Sequence, residues 1–170
     1  MPPAEPPSPA DVAAVSAQLG RPARDVVAVA SRCPCGLPDV VSTAPRLRDG
    51  TPFPTFYYLT CPRLAAAIST LESEGMMAAM QQRLGEDVVV AGQYREAHEA
   101  YLQARARHGH VAEIDGISAG GMPDRVKCLH VLVGQSLALG PGVNPFGDEA
   151  LAELRRRGVL DRRTPCVELP

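Results

Sequence analysis

The 170-residue sequence has no apolar run approaching the ~20 residues needed to cross a bilayer, and its first nine residues lack the basic start and apolar stretch of a signal peptide. A cytoplasmic protein with no membrane association is therefore expected. It also lacks an excess of positive charge: 17 basic against 19 acidic residues leave a net charge of -2. That balance gives no general attraction to nucleic acid, and any anion recognition must be local. Lysine is nearly missing, since Lys127 is the single one. No internal repeat is visible, and neither a phosphate-binding Walker loop nor a dinucleotide fingerprint is spaced correctly anywhere.

What is present is a 45% apolar chain, long enough to bury a core without staples, and five cysteines. Four lie in short polar contexts: Cys33-Pro-Cys35-Gly, Thr60-Cys61-Pro62 and Lys127-Cys128-Leu-His130. In a reducing compartment an odd number of clustered thiols argues for a metal or a reactive site over a disulfide framework. Cys166, near the end of the chain, reads as unrelated to the others.

Residues 1–9 are proline-rich and expected to be disordered, residues 10–160 to form one globular domain, and residues 161–170 a flexible tail. Ser8-Pro9-Ala10-Asp11 has the chemistry of a helix start, and Val12, Val15 and Leu19 recur at helical spacing until Gly20. Strands are predicted over 25–30, 39–43 and 55–59, with the Cys-x-Cys loop at the tip of the first hairpin. Helices are predicted over 62–73, 76–84, 94–107, 124–139 and 149–157, the fourth entered through Gly120 and Gly121. The fold class is α+β, a small, mainly antiparallel sheet over residues 25–60 covered by helices.

Zinc prefers four Cys or His ligands, two of them commonly from one tight turn, and Cys33 and Cys35 offer such a pair with Cys61 beside them. The fourth ligand is expected from residues 127–130. On a regular helix, at ~100° per residue, positions 128 and 130 point about 160° apart, so only one of them can face the ion. Cys128 is the expected ligand, and His130 a supporting group or general acid/base. A closed four-ligand site is structural, whereas three thiolates with an open position can activate water, with His130, Lys127 or Asp124 as candidate catalytic groups.

Three other readings compete. Four thiolates also suit an iron–sulfur cluster. Cys128 near a helix start and Lys127 fits a reactive thiol. Buried reduced cysteines can also simply pack, in a metal-free protein interaction module. A separate pattern, Gly120, Gly121, Arg125 and Lys127 at a helix start, suggests a pocket for a small phosphorylated or anionic ligand, although an ordinary helix start uses the same residues.

The segments Arg32-Cys-Pro-Cys-Gly-Leu-Pro38, Asp49-Gly-Thr-Pro-Phe-Pro54 to Tyr57-Tyr-Leu-Thr-Cys-Pro62, and Arg125-Val-Lys-Cys-Leu-His130 through Gly140-Pro-Gly-Val-Asn-Pro145 resemble the bacterial domain-of-unknown-function 501 family. The likeness spans roughly Val26 to Leu151. It implies a bacterial cytoplasmic protein and carries no mechanism.

Overall fold

A computed structural model describes residues 4–169. Helix α1 (Pro9–Leu19) begins with a capping box: the Ser8 hydroxyl accepts from the Asp11 N–H, and the Asp11 carboxylate accepts from the Ser8 N–H at 3.0 Å. Gly20, at φ +65°, ends the helix.

Strands β1 (Val26–Arg32), β2 (Pro38–Thr43) and β3 (Tyr57–Leu59) form an antiparallel sheet in the order β1-β2-β3, with Val41 opposite both Val29 and Tyr58. The central strand β2 is buried at all six positions, and α1 and α5 (Leu129–Leu139) both pack on it. Together with the surrounding helices this is the expected α+β class, with a small open sheet.

The sheet is one residue wider than its strands. Glu5 exchanges backbone hydrogen bonds with Val29, although residues 1–9 read as disordered; residues 1–3 of that segment lie outside the described residues. The Arg32 guanidinium then reaches Asp11 at 2.8 Å and Glu5 at 3.2 Å, joining the N-terminal segment, α1 and β1. The hydrogen bond from Arg32 outweighs the opposing effect of burial and holds the Asp11 carboxyl well below the usual carboxylate range. A carboxylate depressed in the folded state stabilises the fold above its unfolded pKa and loses that contribution as the pH falls below it. Asp11→Asn is therefore expected to cost about 1–2 kcal/mol at neutral pH. The stability difference between variant and parent in urea titrations should shrink progressively as the pH falls below about 4.

Helix α5 is apolar nearly all round, with Leu129, Val131, Leu132, Val133, Gly134, Gln135, Ser136 and Ala138 buried, which makes it the centre of the fold. Around it lie α2 (Pro62–Ser73), α3 (Met76–Glu86), α4 (Val88–Ala106) and α6 (Pro145–Arg156). A buried amide chain ties three of them together: Asn144 donates to Gln135 at 2.8 Å, and Gln135 donates to the Ala97 carbonyl at 2.7 Å.

Three helix starts differ from the sequence reading. Helix α4 begins at Val88, six residues before the predicted Tyr94, because the Asp87 carboxylate caps the N–H groups of Val89 and Val90 and carries an unfavourable Val-Val-Val first turn. Helix α6 begins at Pro145, four residues before the predicted Glu149, with Asn144 capping Gly147. Helix α5 begins at Leu129 instead of Asp124. Residues 120–127 instead close on themselves, Gly121 O accepting from Arg125 N and Gly120 O from Lys127 N, each at 2.8 Å.

At the other end of the chain, residues 162–165 are clamped by Arg63 of α2, which donates to the carbonyls of Arg162, Thr164 and Pro165 at 3.1, 2.6 and 2.9 Å. The segment read as a flexible tail thus has three anchoring hydrogen bonds.

Candidate metal centre

Helix α2 turns Leu64, Ile68 and Leu71 into the core and sets Ala65, Ser69 and Glu72 along an adjoining face, at i, i+4 and i+7. The start of α5 meets that face. Its N-cap residue, Cys128, has extended backbone at φ -153° and ψ 108°. Because Cys128 stands outside the helix, the rotation of ~100° per residue that separates side chains on a regular helix does not apply. Cys128 and His130 converge, contrary to the expectation that they must face apart: Cys128 Sγ lies 3.8 Å from His130 Nδ1.

Glu72 completes the group. Its Oε1 is 3.3 Å from His130 Nδ1 and accepts the Leu129 N–H at 2.8 Å, capping α5 from a neighbouring helix. The other ring nitrogen, His130 Nε2, faces the Ala65 carbonyl at 3.2 Å and the Ser69 hydroxyl at 3.4 Å. A proton donated from Nε2 to that carbonyl leaves Nδ1 facing the sulfur and the carboxylate. The ligand atoms of Glu72, Cys128 and His130 all lie within 4.8 Å of one another, the one such trio of metal-ligating side chains among the described residues. The site is reachable from solvent, with the His130 and Glu72 side chains 28% and 22% exposed.

The electrostatics of the trio are those of a shared proton. Burial acts to raise the Cys128 thiol, but the hydrogen bond from His130, the Val131 N–H and the imidazole charge together hold it below its ordinary value. The His130 imidazole is pushed up to about 9, chiefly by its hydrogen bond to Cys128, against burial and with help from the Glu72 carboxylate. A thiolate beside an imidazolium is the arrangement these two shifts favour.

The sequence profile of a family described as a protein of unknown function, DUF501, matches residues 29–152. The chain belongs to the DUF501 family. No curated protein and no solved structure matches it. Every member of the trio lies inside the matched region of this DUF501 chain. Among its described residues no helix is long and apolar enough to cross a membrane.

The remaining candidate residues fall in two other places. Cys33, Cys35 and Cys61 do gather, and Cys166 joins them: Cys35 neighbours Cys33 and Cys166, and Cys61 neighbours Cys166 and feels the charge of Cys33. Burial pushes the Cys33 thiol up to about 11 and the Cys61 thiol up to about 12. Cys128, whose polar partners are His130 and Glu72, belongs to the other group.

Gly120 and Gly121 do not stand at a helix start. A Cβ at Gly121, where φ is +92°, would lie 2.7 Å from the Arg125 carbonyl, so the glycine serves the closure of its own loop. Asp124, Arg125 and Lys127 are exposed on the loop that leads to Cys128.

Sequence reasoning missed Glu72 and Cys166. A signal for Glu72 exists, since it is a carboxylate near the C-terminal end of α2, where the helix dipole disfavours negative charge. Its compensation is the start of α5, which sequence proximity does not reveal. Nothing in the local sequence of Cys166 distinguishes it.

Proposed function

We propose that the DUF501 chain is a cytoplasmic zinc-binding protein whose ion is held by Cys128 Sγ, His130 Nδ1 and Glu72 Oε1. The observation that carries this reading is the convergence of a sulfur, a nitrogen and an oxygen donor at one solvent-reachable point. The donor set fits zinc, which accepts all three atom types. The orientation of His130 fits as well, because metal-ligating imidazoles usually spend their second N–H on a carbonyl or carboxylate, here the Ala65 carbonyl at 3.2 Å. Three protein ligands leave a fourth position for water or a substrate oxygen, the pattern of catalytic zinc sites. When bound there, zinc supplies Lewis acidity and an acidified water. A small phosphorylated or anionic ligand is the occupant in keeping with Arg125 and Lys127, exposed on the segment that leads into Cys128.

A second reading rests on the lowered Cys128 thiol at the α5 N-cap: a nucleophilic thiolate paired with the His130 imidazolium. The two are separated by metal analysis of protein purified without added metal or chelator, joined to alkylation of Cys128 in the metal-stripped protein. The zinc reading expects Cys128→Ser and His130→Ala each to carry one zinc fewer per chain than the parent, and added zinc to protect Cys128 from alkylation. Unchanged metal content in both variants, with rapid alkylation that zinc does not slow, transfers the assignment to the nucleophile.

A further inference from the structure

The hairpin between β1 and β2 closes through a short turn in which Gly36, at φ +89°, donates to the Cys33 carbonyl at 2.8 Å, and Cys33 N–H donates to the Leu37 carbonyl at 2.9 Å. The turn presents Cys33 and Cys35 from one loop, as metal knuckles do. Cys61 lies at the N-cap of α2, 2% exposed. Cys166 arrives from a distant part of the chain, on the segment that Arg63 clamps two residues after Cys61. It is fixed at its own end too: Gln18 Nε2 of α1 donates both to Cys166 Sγ at 3.2 Å and to the Pro38 carbonyl at 2.7 Å, beside the hairpin turn. Three separated segments and two helices thus cooperate to bring the four thiols near one another. Cys35 acts on Cys33 and Cys166, and both Cys166 and Cys33 act on Cys61, although no three of the sulfurs lie within 4.8 Å of one another.

An independent observation marks the same place. Among the described residues, two buried side-chain atoms have no hydrogen-bond partner, Gln18 Oε1 and Asp39 Oδ1. Gln18 is the residue that touches Cys166, and Asp39 is near enough to Cys33 for its charge to act on that thiol. Both residues are at least nine-tenths buried, at 9% and 4% exposure. Orphaned buried polar atoms are rare in folded proteins and commonly mark an ordered water or ion.

We infer that Cys33, Cys35, Cys61 and Cys166 together hold a structural zinc ion that fastens the C-terminal segment to the hairpin turn and to the start of α2. Four sulfur donors are the ligand set of closed structural sites, in which all four positions belong to the protein and none is left for substrate. Binding draws the four neighbouring thiols together into a tetrahedron and displaces their protons. The site shares no ligand with the Glu72–Cys128–His130 trio. Cys61 and Glu72 stand at opposite ends of α2, eleven residues and so about 16 Å apart along the helix axis. The two readings stand or fall separately.

The test uses the full chain, with zinc counted per chain and cobalt(II) substituted as a probe whose thiolate charge-transfer absorption grows with the number of sulfur ligands. The Cys128→Ser/His130→Ala double variant is expected to retain one metal per chain with a strongly sulfur-ligated cobalt spectrum. Cys166→Ser is expected to lose that ion and that absorption, and to become cleavable by trypsin at Arg162 and Arg163. Far-ultraviolet circular dichroism of Cys166→Ser checks that the remaining fold persists; should it not, Cys35→Ser at the half-buried turn position replaces it with the same metal readout. A metal-free double variant overturns the inference, as does a Cys166→Ser protein with the parent's zinc content and cobalt spectrum. Failure of the trio reading looks different: the parent then holds one zinc, and Cys166→Ser removes it.

Discussion

Glu72→Gln is expected to weaken zinc binding at the trio by about tenfold to a hundredfold while leaving the fold intact. The substitution keeps a carbonyl oxygen where Oε1 accepts the Leu129 N–H at 2.8 Å, so the α5 start stays capped. It removes the negative charge that faces His130 Nδ1 at 3.3 Å and that would face the ion. Glu72→Ala removes both, and orphaning the buried Leu129 N–H adds about 1–3 kcal/mol of lost stability. Comparing the two variants separates the ligand from the cap, through chelator competition for affinity and urea unfolding for stability.

The same competition has a predictable pH dependence. In the metal-free protein the His130 imidazole, pushed up to about 9 by Cys128 and Glu72, carries the proton that zinc must displace. Apparent affinity should therefore rise with pH and flatten as the pH passes about 9, with proton release accompanying zinc binding below that pH. Affinity that does not change between about pH 6 and 9 would count against His130 as a ligand.

Gly147→Ala is expected to destabilise the protein by about 3 kcal/mol, lowering the melting temperature by roughly 6–12 °C. Helix propensity alone predicts the opposite sign, since Ala exceeds Gly by about 1 kcal/mol in a helix interior. Packing reverses it: a Cβ at Gly147 would lie 2.2 Å from the Leu132 carbonyl oxygen and 2.4 Å from Ser136 Oγ. The first of these is α5 backbone and cannot rotate aside, so α5 and α6 must separate. Such a shift also disturbs the amide chain through Asn144 and Gln135. Gly92→Ala in α4 supplies the control, for a Cβ there meets nothing within 4 Å and the variant should gain up to about 1 kcal/mol. If Gly147→Ala melts at or above the parent, the close approach of α5 and α6 is wrong.

Much of the local structure is legible in the residues themselves. Ser8-Pro9-Ala10-Asp11 specifies a capping box, Gly20 a helix end, and the Val-rich and aromatic runs the three strands, all found at or near their expected places. These features depend on hydrogen bonds and periodicities within a few residues, which sequence order preserves. The misplaced helix starts, at Val88, Leu129 and Pro145, share a different cause. In α4 and α6 a single Asp or Asn cap overrides an unpromising first turn, and in α5 the cap comes from Glu72, 57 residues away.

The chemistry of the chain was legible as a set of residue types and illegible as a set of partners. Composition and context mark Cys33, Cys35, Cys61, Cys128 and His130 as unusual, and the first three do come together. Their partition into two groups follows from where α2 lies. One end of that helix carries Cys61 and, through Arg63, the returning C-terminal segment with Cys166; the other end carries Glu72 to the start of α5. Residues 61 and 166, or 72 and 130, become neighbours only when the core has closed. Their proximity depends on the summed burial of α2, α5 and the sheet, a long-range property that no local window of sequence contains.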